Sequence, residues 1–124
     1  MKYLDKDKIE EARKVIAKMD GLYAEISAAV KRKSDAPVTK FQLKLINAII
    51  ADANAVLGER KPLAGFVHFD EDDLPVASDI SMVVAQYVEI LEIVRVDNIT
   101  TTGGGRWFWN DRTLTPTSAP KARR

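Results

Sequence analysis

The sequence predicts an all-α protein: a three-helix antiparallel bundle with one short extended segment and an aromatic C-terminal arm. Three observations carry that expectation. Residues 76–96 form a strongly apolar block at helical spacing. Residues 4–33 repeat apolar side chains in steps of three and four over three heptads, and residues 40–57 do the same behind a capping signal. The block at 76–96 is the one the others should pack around. Val76, Ile80, Val83, Tyr87, Ile90 and Val94 fall on one stripe, which Ala77, Val84, Val88 and Leu91 widen. Only Asp79, Gln86, Glu89, Glu92 and Arg95 remain as a polar strip. A helix apolar over so much of its circumference needs cover on more than one side. That requirement predicts a symmetric homodimer, with the third or first helices at the interface.

The first helix is expected from about Leu4 to Lys33. Ile9, Ala12, Ile16, Met19, Tyr23, Ile26 and Val30 form its seam, with Val15, Leu22 and Ala29 alongside. Asp5 or Asp7 can cap its start, and Lys31, Arg32 and Lys33 suit the negative end of the helix dipole. Gly21 costs about 1 kcal/mol relative to alanine, but the heptad phase runs through it, so one continuous helix is expected. Residues 34–37 are a turn. Thr39 followed by Gln42 has capping-box form, with Val38 placed for a hydrophobic staple. The second helix then runs over 40–57, with Phe41, Leu45, Ile49, Ala53 and Val56 as its inner stripe and Gly58 as its stop. Ile46, Ile50 and Leu57 lie beside that stripe.

Residues 59–73 form the longest connection. Pro62, Gly65 and the alternation Phe66-Val67-His68-Phe69 predict extended chain over 63–69. Asp70 through Asp73 then place negative charge ahead of the third helix, where it is stabilising, and Pro75 fits the first turn. After Asp97-Asn98, three threonines and Gly103-Gly104-Gly105 predict a flexible hinge into Arg106-Trp107-Phe108-Trp109. A helical domain over 1–112 and a disordered basic tail over 113–124 follow from the composition.

The composition bounds the chemistry. There is no cysteine, which excludes disulfides, thiolate catalysis and sulfur-based zinc sites and suits a reducing cytoplasm. The N-terminus lacks the apolar core of a signal peptide, and Asp79, Glu89 and Glu92 interrupt the most apolar block, so no membrane span is expected. The net charge of +1 is unevenly distributed. Residues 59–98 hold three Lys or Arg against nine Asp or Glu, and residues 99–124 hold five against one. Complementary neighbouring helices and a solvated tail account for that split more simply than a basic arm seeking an acidic partner.

Reactive constellations are sparse. The carboxylates of Asp70–Asp73 are consecutive rather than alternating, unlike a calcium loop, and no glycine stands at the sixth position. Glu89 and Glu92 lie one turn apart, and with Asp70 and Asp73 they could hold Mg²⁺ in a small helical enzyme acting on a phosphorylated ligand. An exposed Glu-x-x-Glu also arises readily as a solvated face. His68, the sole histidine, stands among Phe66, Val67 and Phe69 and reads as a structural ring bonded to backbone. The triple glycine lacks the Lys-Ser/Thr ending of a phosphate loop.

The aromatic run at 107–109 admits two uses. With Arg106 it could stack on single-stranded bases; alternatively, its rings dock in a hydrophobic groove, on this chain or a twin. Docking is the expectation. The function expected is therefore a non-enzymatic helical interaction or assembly module, needing no cofactor or metal. Arg106, Trp107, Phe108 and Trp109, together with Val84, Tyr87, Val88 and Leu91, are its contact residues. The metal-dependent enzyme is the alternative, and nucleic-acid binding through the basic aromatic tail is the second.

Overall fold

Gly21 does not break the first helix: α1 runs over Lys6–Arg32. A Cβ added at that glycine would meet nothing within 4 Å, so the residue sits on open surface and costs only helix propensity. The structure, a computed structural model, describes residues 6–63, 65–111 and 114–121. The expected start at Leu4 and the cap at Asp5 lie outside that set. Asp7 stands in the first turn of α1, and Lys31 and Arg32 stand in the last, each opposite in sign to the nearby helix-dipole end. Ile9, Val15, Met19, Leu22 and Ile26 are buried, whereas Ile16, Tyr23 and Val30 lie half-buried on the flank. The contact line is therefore rotated toward the Val15–Leu22 side of the expected seam.

Helix α2 occupies Lys40–Leu57, and its capping box is closed in both directions. Thr39 Oγ1 accepts from the Gln42 backbone N–H at 3.1 Å, and Gln42 Oε1 accepts from the Thr39 N–H at 3.1 Å. Val38 packs against the core, as a staple should. Gly58, at φ 56°, stops the helix by donating its N–H to Asn54 O. The inner face differs from expectation. Leu43, Ile46, Ile50, Ala53 and Leu57 are buried, while Phe41 is 70% and Leu45 53% exposed. This helix carries two apolar stripes of similar quality, and the positions of its neighbours select one of them.

The turn between α1 and α2 also starts the third helix, α3, at Ala77–Asp97. Ala77 N–H donates to Ala36 O and Ser78 N–H to Ser34 O, both at 3.0 Å, and Pro37 bridges Val76. Two N-terminal amides that a helix cannot satisfy internally are thus paired by the preceding turn. The most extensive helix contact is between α1 and α3, followed by α1 with α2. Ile80, Val84, Tyr87 and Leu91 lie within the main core, with Val83, Val88, Ile90 and Val94 packed at its edge. The apolar block is a helix and is sheathed.

Between α2 and α3 the chain makes single 3-10 turns at Gly58–Arg60 and Glu71–Asp73, and the described residues between them form no named strand. The Asn47 amide replaces a strand partner: its Nδ2 donates to Phe69 O and its Oδ1 accepts from Phe69 N–H, both at 2.9 Å. The Phe66 and Phe69 rings meet edge-to-face, 5.2 Å apart. Beyond α3, the hinge expected to be flexible is a hairpin. Strands β1 (Ile99–Thr101), β2 (Trp107–Trp109) and β3 (Pro116–Thr117) form one antiparallel sheet, with Ile99 opposite Trp109 and Trp107 opposite Thr117. Gly103, Gly104 and Gly105 all have φ between 64° and 85°, a region glycine enters without steric cost. Three helices therefore dominate, and the small sheet is an addition that the all-α expectation lacked.

Candidate functional site

The most organised polar cluster surrounds Arg95, in the last turn of α3. Its side chain is 5% exposed, a burial that charged groups tolerate only when paired and hydrogen-bonded. Pairing here is complete. Nε donates to Glu92 Oε1 at 2.6 Å and Nη2 to Glu92 Oε2 at 2.8 Å, the forked geometry of an arginine–carboxylate pair. The same Nη2 donates to Ala119 O at 2.9 Å, and Nη1 donates to Thr117 Oγ1 at 3.0 Å and Ser118 O at 2.8 Å. All five guanidinium donors are used. Glu92 Oε2 also accepts from the Lys121 backbone N–H at 2.8 Å, and Lys121 Nζ reaches Asp20 on α1 at 3.1 Å.

Burial alone would raise the Glu92 carboxyl. The bonds from Arg95 and from the Lys121 N–H, with the two positive charges nearby, outweigh it and hold the group below its ordinary value. The result is a clamp in which one helix grips residues 117–121 as an extended strap. That strap belongs to the stretch expected to be a free tail. Over 114–121 it is instead held, because Arg95 and Glu92 supply partners that its composition does not reveal. Residues 113 and 122–124 lie outside the described set. Between strap and α1 an open groove of about 560 Å³ remains, with Ile16, Ala17 and Trp109 among its lining and Arg13, Lys14 and Asp20 at its charged edges.

The aromatic arm docks on its own chain. Trp109 is 2% exposed and forms a second, smaller core with Ile9 and Ile99, against which Trp107 and Ile16 pack. Phe108 is half-buried and Arg106 exposed. Of the α3 residues expected to meet a partner, Val84, Tyr87 and Leu91 are covered by α1 and α2, and Val88 is half-buried. They are occupied within one chain because the helices close around them. Tyr87 OH donates to Asn54 Oδ1 at 2.6 Å; burial raises its pKa, and the bond to Asn54 partly offsets the rise.

The candidate Mg²⁺ carboxylates are not gathered. Asp70 Oδ1 caps its own turn by accepting from Asp72 N–H at 2.9 Å, Glu92 is committed to the clamp, and Glu89 faces out. Among the described residues, no three His, Cys, Asp or Glu side chains are placed to share a metal ion. His68 lies exposed with Nδ1 3.0 Å from Phe69 O, the backbone contact expected of a structural ring. No described helix is long and apolar enough to cross a membrane.

No family model, curated protein or solved structure matches this chain.

The reading of function therefore rests on geometry. Sequence reasoning placed Arg95 on a solvated strip and missed the clamp. The available signal was Glu92 three residues before an arginine, on a helix otherwise devoid of basic side chains.

Proposed function

We propose that this chain is a non-enzymatic interaction module that assembles as a homodimer through the outer face of α2. The supporting observation is the exposure of Phe41 and Leu45, successive turns of one helix face, at 70% and 53%. Large apolar side chains in adjacent exposed positions mark contact surfaces more often than single ones do. Ala48, Ala51 and Ala55 continue that face and are also exposed, so a second helix can approach closely. A second copy is the occupant that suits it. An isologous contact needs one face that complements itself, and this face carries, beside Phe41, Leu45 and the alanines, one exposed charge of each sign, Lys44 and Asp52, which a two-fold contact can pair. The α1 and α3 positions expected to form a dimer are buried or half-buried within one chain, which favours α2. The cysteine-free composition suits assembly in a reducing compartment such as the cytoplasm.

Light scattering coupled to size exclusion tests this reading. The native chain is expected to run at twice its chain mass at micromolar concentration. A Phe41→Glu, Leu45→Glu double variant should run as a monomer with its helical circular dichroism intact. A native chain that stays monomeric throughout that range would remove the proposal.

A further inference from the structure

We infer that the Arg95–Glu92 clamp is a receptor for extended backbone, and that in the assembled protein its occupant is the 114–121 strap of a second copy. This goes beyond the α2 contact: it shares the premise that two copies associate but rests on a different part of the molecule.

The chemistry of the grip is the first argument. Arg95 donates to the carbonyls of Ser118 and Ala119, and Glu92 accepts from the N–H of Lys121. Side chains engage at Thr117 Oγ1, on Arg95, at Lys121 Nζ, on Asp20, and at the Thr115 hydroxyl, on Asp111. Contacts directed mainly at the main chain form equally well with the same segment of another copy. The second argument is what the strap leaves unfilled. No residue of 114–121 belongs to either hydrophobic core, residues 118–121 are exposed, and the groove beside them stays open. The strap can therefore leave and be replaced without opening apolar packing.

The third argument is the hinge. Leu114 sits at φ 51°, left-handed backbone that a branched side chain adopts only under local constraint. Asp111 imposes it: its carboxylate accepts from the Thr115 N–H at 2.9 Å and hydroxyl at 2.6 Å, and its carbonyl from the Leu114 N–H at 3.3 Å. A constrained residue such as Leu114 at the start of a separable terminal strand favours exchange between copies. Every contact past the hinge is preserved and only the hinge conformation changes. The closed and exchanged forms then differ by the Asp111 turn and by concentration.

The absence of cysteine makes the test direct. Asp20→Cys and Lys121→Cys are prepared as separate chains, both at half-exposed positions whose loss leaves the cores untouched. The two are mixed, incubated at high concentration and treated with a short bis-maleimide. Exchange should give a covalent species at twice the chain mass. Its yield should rise with concentration and rise further when both chains carry Asp111→Ala. The double variant Asp20→Cys, Lys121→Cys in one chain is the control for reach. If it cross-links at single-chain mass while the mixture yields no covalent dimer at any concentration, the inference is overturned. Repeating the mixture with Phe41→Glu, Leu45→Glu separates the two readings. A cross-link that persists there supports exchange even if the α2 contact fails. A light-scattering dimer with no cross-link keeps the α2 contact and removes exchange.

Discussion

The helical core and the C-terminal strap cover α3 by opposite means. Around Ile80, Val84, Tyr87 and Leu91 the cover is apolar, drawn from Met19, Leu22, Ile26, Ile46 and Ile50. One turn further along, at Arg95, it is a fan of hydrogen bonds to backbone and hydroxyl oxygens. Apolar burial is large but indifferent to direction, so it sets whether the helices associate more than how they are aligned. A forked guanidinium fixes position and contributes less net free energy, since much of its gain offsets desolvation. The difference teaches a division of tasks: the core supplies stability, and the clamp supplies register for a segment too polar to find it by burial.

The sharpest way to break that division is in the core. Ile50→Ala, at a fully buried position, is expected to cost about 4 kcal/mol. Urea unfolding followed by circular dichroism checks it, and helices and sheet should lose structure together. Arg95→Met comes next. Removing the guanidinium leaves the half-buried Glu92 carboxylate with only the Lys121 N–H of its clamp bonds, a change worth about 3 kcal/mol. Its effect should be local, with the Lys121 amide losing exchange protection while Ile50 keeps its own. Equal loss at both amides would show that the two regions unfold as one.

A pH titration sharpens the comparison on a smaller scale. Glu92 is held below its ordinary value of 4.5, so the unfolded chain takes up its proton more readily than the folded one. The stability it contributes is complete above that ordinary value and lost as pH falls through the folded one. Protection of the Lys121 amide should decline on acidification below about pH 4.5, and Glu92→Gln should flatten that decline. The smallest effect belongs to Thr39→Ala. Loss of the capping-box acceptor is expected to lower stability by about 1 kcal/mol, visible as a shifted denaturation midpoint with no change at the strap.

Local chemistry made the helices legible, and tertiary choice hid the rest. Thr39, Gln42 and Gly58 mark the ends of α2 through bonds made within a few residues, so its bounds of 40 and 57 could be read directly. Its inner face could not. Phe41 and Leu45 are as apolar as Leu43 and Ile46, and nothing within the helix says which stripe meets α1. The sheet was hidden for a related reason. Gly103-Gly104-Gly105 serves a tight hairpin or a loose linker equally well, and the choice depends on Ile9 and Ile99 being there to receive Trp109. The clamp was least visible. Arg95 resembles any surface arginine until residues 117–121, more than twenty positions later, bring it their carbonyls.

Both of the protein's tryptophans stand on one short strand, and the helices hold none. Tryptophan fluorescence, excited selectively over the tyrosines, therefore watches the C-terminal sheet and its seat on Ile9 of α1, while far-ultraviolet ellipticity watches almost only the helices. The molecule comes labelled with two independent optical channels, and any order in which its parts come loose can be followed without attaching a dye.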